Sequence, residues 1–264
     1  MPALNILWIL LAVAALAAVA LAYAWFEAGW LRKRVVDVPI PGLPAGLDGV
    51  RLAHLSDFHL GPRSRGERAV ERAGAWVRDR RPDLVLVTGD LLSHPRGRAR
   101  LDDVLSGLDA YAVLGNHDVA VTRDPFSRPA ELAGVPATLL VGESQTVELR
   151  GRRVQVAGSP PRWRAPVPAA DSTAELRILL SHFPTLEAPG YHLVLAGHMH
   201  AGQIVLPYPG GKLRLAHLGA RYAEGFYREG EVTLHVSPGL GTTFVPFRFF
   251  ARPEATELVL RSVE

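Results

Sequence analysis

The sequence predicts an α/β fold with a mostly central sheet, preceded by one apolar N-terminal helix. Two observations predict the α/β fold. Short apolar runs typical of buried strands recur along the chain, and a segment of helical composition at 65–80 lies between the first two of them. The N-terminal helix is predicted by a third observation, a run without any charged residue from Ile6 to Phe26.

The uncharged run is long enough to cross a bilayer, for which a helix needs about 20 apolar residues. Aromatic residues near its ends and the basic cluster Arg32–Arg34 after it are typical of a membrane-spanning segment. A cleaved signal peptide is the alternative, but it would begin with basic residues and carry a shorter apolar run. We therefore predict an uncleaved, single-pass anchor in the cell (inner) membrane. Because basic residues favour the cytoplasmic side, the domain that follows is expected in the cytoplasm.

The chain is predicted to divide into an anchor at 1–31, a linker at 32–48 and one domain at 49–264. Prolines and a glycine at 39–44 indicate an extended connector, because both residue types interrupt regular structure. A proline-rich stretch at 159–168 indicates a surface loop. The predicted strands are Val50–Leu55, Leu84–Val87, Tyr111–Leu114, Thr146–Leu149, Arg153–Ala157, Arg177–Leu180, His192–Leu195, Val232–Val236 and Glu257–Leu260.

Composition excludes several kinds of site. The chain contains no cysteine, so disulfides, thiolate zinc sites and cysteine nucleophiles are excluded. Its formal net charge of +3 is compatible with anionic substrates or membrane surfaces, but it is too small to indicate nucleic acid. Neither a phosphate-binding P-loop nor a G-x-S-x-G nucleophile motif is present.

Five of the apolar runs are followed by side chains that can bind a metal ion. The endings are SDFH at 56–59, TGD at 88–90, GNHD at 115–118, SH at 181–182 and AGHMH at 196–200. Ligands of open α/β sheets bind outside the carboxyl ends of the strands, so we expect these endings to meet in one crevice. Oxygen and imidazole donors without sulfur suit Mn²⁺, Zn²⁺ or Fe. The candidate ligands are Asp57, His59, Asp90, Asn116, His182, His198 and His200.

Each ending alone has an ordinary explanation. An Asp after a strand commonly caps a turn or helix, and a single buried His is usually hydrogen-bonded. His198 and His200 are a stronger signal, because a two-residue spacing can point both rings the same way. Ordinary explanations for all five endings at once are implausible. The set therefore favours a metal site, and its seven donors suit two ions better than one tetrahedral ion.

In this order, the five endings resemble the calcineurin-like metallophosphoesterase superfamily over about 50–260. The HMHAGQ stretch at 198–203 and the segment 239–254 are similar, more narrowly, to the membrane-associated bacterial phosphodiesterase branch, close to UDP-2,3-diacylglucosamine pyrophosphatase-like enzymes. The resemblance implies a four-layer α/β/β/α sandwich. Met199 and Ala201 stand where the branch usually has a small polar residue and a glycine. The wall of the pocket is therefore expected to differ from that of the branch.

The resemblance also implies roles for the site residues. Two divalent metal ions are expected, with Mn²⁺ favoured over Zn²⁺ or Fe. The first ion would be bound by Asp57, His59, Asp90 and His200. The second would be bound by Asp90, Asn116, His182 and His198, with Asp90 bridging. A hydroxide shared by two ions about 3.5–4 Å apart would attack phosphorus in line. His117 would protonate the leaving oxygen, and Asp118 would orient His117.

The predicted function is hydrolysis of a phosphodiester or pyrophosphate bond by a membrane-anchored enzyme. A lipid-linked nucleotide such as UDP-2,3-diacylglucosamine, from lipid A synthesis, is the candidate substrate. Two alternatives stay open: a phosphodiesterase acting on soluble nucleotides or nucleic acid, and a non-catalytic membrane-tethered scaffold. A soluble substrate would not need an anchor, and a scaffold would not need a full ligand set. No stable nucleic-acid partner is expected, and the sequence does not predict an oligomeric state.

Overall fold

The computed structural model of the chain describes residues 2–119 and 124–263. The helices in these residues are α1 (Pro2–Glu27), α2 (Gly66–Arg80), α3 (Arg98–Leu105) and α4 (Asn116–Val119). The strands are β1 (Arg32–Pro41), β2 (Arg51–Leu55), β3 (Leu84–Thr88), β4 (Ala110–Val113), β5 (Thr138–Leu139), β6 (Ser144–Leu149), β7 (Arg152–Gly158), β8 (Leu176–Ser181), β9 (Leu193–Ala196), β10 (Val205–Tyr208), β11 (Gly211–Arg214), β12 (Gly225–Glu229), β13 (Val232–Val236) and β14 (Glu254–Val263).

The strands form two six-stranded sheets and one separate hairpin. The first sheet has the order β1-β14-β2-β3-β4-β5, and the second has the order β12-β13-β9-β8-β7-β6. Strands β10 and β11 pair only with each other. Within the first sheet β2, β3 and β4 are parallel, and within the second β7, β8, β9 and β13 are parallel. The carboxyl ends of these parallel strands therefore line up along one edge of each sheet.

The two sheets pack face to face because every second residue of their strands is a large apolar one. Leu52 and Leu86 of the first sheet share a buried core with Ile178, Leu180 and Leu195 of the second. The alternate residues of the first sheet face outward and pack on α2 and α3, and this outer core includes Leu55, Val85, Val70, Val77 and Leu101.

The predicted α/β fold is confirmed, with the two packed sheets that the resemblance to a four-layer α/β/β/α sandwich implies. The outer layer differs between the two sides. In the described residues the outer face of the second sheet is covered by irregular segments rather than by a helix. Leu179, Val194 and Leu234 pack there with Tyr191, which the irregular segments contribute. Met199, the residue between the paired histidines, is 4% exposed and belongs to the same cluster. Its side chain therefore packs on the sheet and does not line the crevice.

Residues 32–41 form the edge strand β1 instead of the predicted linker. The strand pairs in parallel with β14 over its whole length, from Arg32 opposite Glu254 to Pro41 opposite Val263. Its prolines are tolerated because one side of an edge strand needs no hydrogen-bond donors. Val38 and Ile40 are buried in the core between the sheets, so the folded domain begins at 32 rather than at 49.

Helix α1 carries an apolar stretch, Asn5–Glu27, with a mean hydropathy of 2.6, and is long enough to cross a membrane. Its last turn is attached to the domain. The buried Glu27 carboxylate accepts hydrogen bonds from the backbone N–H groups of Phe250 and Ala251 at 2.9 and 2.7 Å. The backbone N–H of Arg248 donates to the carbonyl of Ala24 at 3.1 Å. The end of the apolar helix is therefore held directly against the loop that precedes β14.

Candidate metal centre

The predicted ligands meet at the shared carboxyl edge of the two sheets. The loops after β2, β3 and β4 supply them from the first sheet, and those after β8 and β9 supply them from the second. Most of these side chains are buried, whereas Asn116 and His198 are partly exposed. The expected convergence of five strand endings in one crevice is thus what the fold produces.

One group of donor atoms comes from Asp57, His59 and His200, whose potential ligand atoms lie within 4.8 Å of one another. Nε2 of His59 lies 3.1 Å from Nε2 of His200. Nε2 of His200 lies 3.5 Å from Oδ1 of Asp57. We name this set the first cluster.

A second group of donor atoms comes from Asp90, His182 and His198, again within 4.8 Å of one another. Nε2 of His182 lies 3.1 Å from Nδ1 of His198 and 3.0 Å from Oδ1 of Asn116. These four residues are named the second cluster. Oδ2 of Asp90 is 3.3 Å from Nε2 of His182 and 3.4 Å from Nε2 of His59. The Asp90 carboxylate therefore connects the second cluster with His59 of the first cluster.

Hydrogen bonds outside the clusters orient two of the rings. Nδ1 of His182 lies 2.8 Å from the carbonyl oxygen of Thr88, to which it can only donate. Nδ1 of His59 lies 2.7 Å from Oγ of Ser93. Such partners set the tautomer and leave Nε2 free as the ligand atom. Ser93 lacks any motif context in the sequence, so its contribution to the site could not be predicted.

His117 lies beside both clusters, and its surroundings differ from those predicted. Its donor atom is within 4.8 Å of those of His59 and Asp90. Nδ1 of His117 lies 3.2 Å from Oγ of Ser127. The Asp118 carboxylate accepts hydrogen bonds from the backbone N–H groups of Leu91, Leu92 and Gly115 instead of orienting His117.

The prediction for Asp118 is therefore corrected. One turn of α4 carries the Asp118 side chain back toward the loop that contains Asp90, where backbone donors are available. Asp118 shapes that loop, and the hydroxyl of Ser127 takes the position beside His117 that was expected for a carboxylate.

The backbone of the site is strained. Five of the predicted ligands are non-glycine residues with positive φ angles between 45° and 70°: Asp57, His59, Asp90, His198 and His200. Positive φ is costly for residues with a side chain and is concentrated at functional sites. This strain could not be predicted from the sequence, because it depends on how the loops cross the edge of the sheet.

Glycines beside these ligands provide space. A side chain at Gly115 would overlap the carboxylate of Asp90, and one at Gly197 would overlap the hydroxyl of Ser56. Gly89 has a φ of 86°, which favours glycine. The two sheets can therefore approach each other closely enough for their loops to share one crevice.

Burial sets the protonation of the clustered groups. It lowers the pKa of His59 to about 3 and that of His198 to about 2, so both rings are neutral and able to bind a cation. Burial opposes the charged form of His182 as well, but the Asp90 carboxylate raises the pKa of His182 to about 9. Burial also raises the pKa of Asp57 to about 6. The Asp90–His182 pair is consequently the charged part of the site in the absence of a metal ion.

Arg248 is a buried cation that sequence reasoning missed. Its guanidinium donates to the carbonyls of Gly241, Pro238 and Ala251 at 2.7–2.9 Å. Nη2 of Arg248 also lies 3.2 Å from Nδ1 of His200. Its burial lowers the pKa of Arg248 to about 10, so it remains charged near neutral pH. The only signal in the sequence was its position inside the 239–254 segment.

A buried chain of polar groups also ends at the site. Oγ of Ser56 donates to Asp57 at 2.6 Å, and Oγ1 of Thr88 donates to Ser56 at 2.7 Å. Nε2 of His54 lies 2.9 Å from Oγ1 of Thr88, and its Nδ1 lies 2.8 Å from Nδ1 of His235. This series of hydrogen-bonded side chains joins the two sheets beneath the first cluster and positions the Asp57 carboxylate.

The donor set is chemically suited to divalent ions. It combines carboxylate and amide oxygens with imidazole nitrogens, as Mn²⁺, Zn²⁺ and Fe sites do. Nitrogen lone pairs of neutral rings that face one another at about 3 Å need a cation or a shared proton between them. Nε2 of His59 and Nε2 of His200 lie 3.1 Å apart, so either a proton on one ring or a cation lies between them. The residues therefore fit two adjacent ions, with Asp90 between them.

Comparisons with known proteins identify related phosphoesterases. The calcineurin-like phosphoesterase profile matches residues 50–202. An uncharacterized metallophosphoesterase of Bacillus subtilis, YkuE, is 30% identical over 239 residues, which are 83% of this chain and 82% of that protein. Phosphodiesterase YaeI of Escherichia coli is 28% identical over 196 residues, 69% of this chain and 72% of that protein.

A vertebrate relative is named as a transmembrane protein. A transmembrane protein with metallophosphoesterase domain from Danio rerio is 31% identical over 255 residues, 86% of this chain. These residues are 56% of that protein, so the chain spans little more than half of its length. Together with the apolar helix α1, this relative indicates a membrane protein. The chain belongs to the calcineurin-like metallophosphoesterase family, a family of metal-dependent hydrolases that bind divalent ions.

Proposed function

We propose that the chain is a membrane-anchored phosphodiesterase that acts through two divalent ions held side by side, with Mn²⁺ the favoured metal. The observation that carries the proposal is the position of Asp90. Its Oδ2 is within 3.4 Å of one histidine from each cluster, which is the arrangement that a bridging carboxylate requires.

The two clusters suggest how the ligands divide between the ions. The first ion takes the first cluster together with Asp90, and the second ion takes the second cluster. When bound, the ions supply positive charge for the phosphate oxygens and lower the pKa of water at the site. His117, beside Asp90 and outside this ligand set, is the proton donor for the leaving oxygen. Ser127, at 3.2 Å from Nδ1 of His117, fixes the orientation of the ring.

The favoured substrate is a phosphodiester or pyrophosphate that is linked to a lipid. Support comes from the anchor, because α1 is attached to the same loop segment that supplies Arg248 to His200. An enzyme tethered in this way meets membrane lipids at high local concentration. A lipid-linked nucleotide such as UDP-2,3-diacylglucosamine fits both requirements, with the domain in the cytoplasm beside the inner membrane. A phosphodiesterase for soluble nucleotides is the competing assignment, and no stable nucleic-acid partner is expected.

The metal-dependence test uses the full chain in detergent micelles or nanodiscs. After dialysis against a chelator the protein should lose its hydrolysis of bis(p-nitrophenyl) phosphate, and added Mn²⁺ should restore it. Equal activity with and without metal would contradict the two-ion proposal. Zn²⁺ and Fe²⁺ in parallel samples identify the preferred ion.

The substrate test follows once a chromogenic diester is hydrolysed. UDP-2,3-diacylglucosamine is incubated under the same conditions, and its products are followed by mass spectrometry. Cleavage at the pyrophosphate supports the lipid-linked assignment. If the lipid nucleotide survives while the chromogenic diester is consumed, this substrate is abandoned and soluble diesters become the first candidates.

A further inference from the structure

The hairpin β10–β11 stands apart from both sheets and has one apolar face. Leu206 pairs with Leu213 across the hairpin, so both side chains point to the same side, and Tyr208 and Leu215 share that side because strand residues alternate. These side chains are exposed to between 43% and 57%. The opposite side is tied to the domain, since Lys212 and Arg214 both pair with Glu224.

The hairpin is hydrogen-bonded to the loop that holds α1. The backbone of Val205 donates to the carbonyl of Phe249 at 2.8 Å. The Phe249 ring in turn packs edge-on against Tyr23 of α1, with ring centroids 5.6 Å apart. Two more aromatic side chains of this loop, Phe244 and Phe250, are 48% and 50% exposed. We name the following six residues the apolar patch: Leu206, Tyr208, Leu213, Leu215, Phe244 and Phe250.

We propose that the apolar patch is a second membrane contact, which dips into the surface of the bilayer that α1 spans and seats the metal centre against it. The inference rests on the proposed anchoring. It adds that the domain has a defined orientation on the membrane and is not merely tethered to it.

The position of α1 determines the depth of the patch. Tyr23 lies about 6 Å before the end of the helix, at 1.5 Å of rise per residue. Its ring contacts Phe250 as well as Phe249. Because the apolar stretch of α1 ends at Glu27, this loop lies level with the boundary between acyl chains and headgroups. Amphipathic segments bury their apolar side chains about 5–10 Å into that region.

Charges around the patch suit anionic headgroups. The groove beside Phe244 is lined by Arg63, Arg96 and Arg128 and has a volume of about 380 Å³. Asp124 in its wall is engaged by Thr243 and by the backbone of Phe244. Arg252 stacks over Trp30 just beyond α1, at 3.8 Å from the ring centroid. Arginine and aromatic side chains together are typical of membrane interfaces.

The patch also adjoins the metal centre. Nε2 of Gln203 donates to the carbonyls of Thr243 and Val245 at 2.8 and 3.2 Å, which joins the loop of the patch to the loop that carries His200. Gly61 of the arginine-lined groove follows His59 by two residues. A patch in contact with the bilayer therefore brings the crevice to the membrane surface, where a phosphodiester on a lipid can reach it.

The absence of cysteine allows a direct test of this orientation. Single cysteines replace Leu213, Phe250 or, as a control, Glu148, and each carries an environment-sensitive fluorophore. Glu148 pairs with Arg153 near the start of β7, at the edge of the sheet away from the site. The full chain is reconstituted in vesicles of phosphatidylcholine with phosphatidylglycerol, with and without brominated lipid. We expect a blue shift and bromine quenching at 213 and 250, and neither at 148.

Equal, unquenched emission at all three positions would overturn the proposal. Quenching at 148 as strongly as at 213 would also overturn it, because the domain would then have no defined orientation. Quenching at 213 and 250 that is equally strong in pure phosphatidylcholine would overturn the part assigned to anionic headgroups. If lipid quenches neither label, but adding a second copy of the chain reduces the solvent exposure of both labels, the patch binds a protein instead. That result would also overturn the proposal.

An activity measurement separates this inference from the proposed function. The double variant Leu206→Ser and Leu213→Ser should lower hydrolysis of a phosphodiester lipid in vesicles by about tenfold, because two apolar side chains that contact the bilayer are removed. Hydrolysis of bis(p-nitrophenyl) phosphate should not change. Val35→Ser, which alters an exposed valine on the edge strand β1, is the matched control. If the wild-type chain hydrolyses neither the phosphodiester lipid nor bis(p-nitrophenyl) phosphate, the proposed function fails. The fluorophore measurement would still show whether the patch contacts the bilayer.

Discussion

Two buried carboxylates, Glu257 and Asp90, lie at opposite edges of the first sheet and have very different surroundings. Each is 1% exposed. Glu257 near the amino ends of the parallel strands receives hydrogen bonds from the guanidinium groups of Arg51 and Arg80 at 2.7–3.0 Å. Asp90 at the carboxyl ends lies among histidines and one backbone N–H, that of His117 at 2.8 Å.

The difference shows that one carboxylate stabilises the fold, whereas the other belongs to the candidate metal centre. Glu257 is permanently neutralised by two arginines that belong to the chain, so it can only stabilise the fold. Asp90 has one charged partner in the chain, His182, and burial keeps the rings of His59 and His198 neutral, so this environment also suits a cation from outside the chain. A substitution at Asp90 should therefore change activity and metal content, whereas one at Glu257 should change the free energy of unfolding.

Asp90→Asn should have the largest effect. It keeps the shape of the side chain and removes the charge between the clusters, so hydrolysis of bis(p-nitrophenyl) phosphate should fall by about a thousandfold or more. Metal content, measured by mass spectrometry after gel filtration, should fall below one ion per chain, while circular dichroism should be unchanged. A variant that retains two ions and most of its activity would show that Asp90 does not bridge.

His117→Ala should lower activity and leave metal binding unchanged. The loss should be about 10²–10⁴-fold for a substrate with an alkoxide leaving group, and smaller for a nitrophenolate that needs no proton. Measuring both substrates on the same preparation checks the role of His117. A decrease in metal content would instead make His117 a ligand, as its distance from His59 and Asp90 permits.

Arg248→Met should strengthen metal binding at the first cluster, provided that the loop keeps its shape. Nη2 of Arg248 lies 3.2 Å from Nδ1 of His200 and can only donate, so the guanidinium favours a proton on Nε2, the atom that faces His59, and its charge repels a cation. Titration of the metal-free chain by calorimetry measures the change. Arg248→Lys is the control, because it keeps the charge and loses the forked contacts with Gly241. If both variants bind metal like the wild type, Arg248 only holds the loop.

Glu257→Gln should have the smallest effect on function and a moderate one on stability. Activity should be unchanged, and the free energy of unfolding by urea at pH 7 should fall by about 1–3 kcal/mol as charged hydrogen bonds are lost. Although burial opposes the charged form, Arg80 and Arg51 lower the pKa of Glu257 from 4.5 to about 2.

The pH dependence has a definite sign. Because the folded pKa is depressed, the stabilisation by Glu257 is fully present above about 4.5 and is lost as the pH falls toward about 2. The stability difference between wild type and Glu257→Gln should therefore shrink over that range. A difference that does not change between pH 5 and pH 3 would contradict this account.

Much of the fold could be predicted because its central strands have a strong local signal. Each predicted strand overlaps an observed one, and only Val50, Leu114 and His192 lie one residue outside the observed bounds. Strand β14 extends three residues beyond the predicted 257–260 at each end, and β6 begins two residues earlier than predicted. Strand β1 was missed because its prolines mask an alternation that buries only Val38 and Ile40. The hairpin β10–β11 was missed as well, since its exposed leucines do not resemble a buried strand.

The candidate ligands of the site and their positions along the chain could be predicted from the sequence alone. This was possible because parallel strands place their carboxyl ends at one edge, so residues far apart in sequence must converge there. The partners of those side chains were decided only by the tertiary structure. Asp118 turns toward backbone N–H groups, Ser127 and Arg248 approach His117 and His200, and Met199 packs into the second sheet. Such contacts depend on how close two sheets and their loops approach each other, and no local pattern encodes that distance.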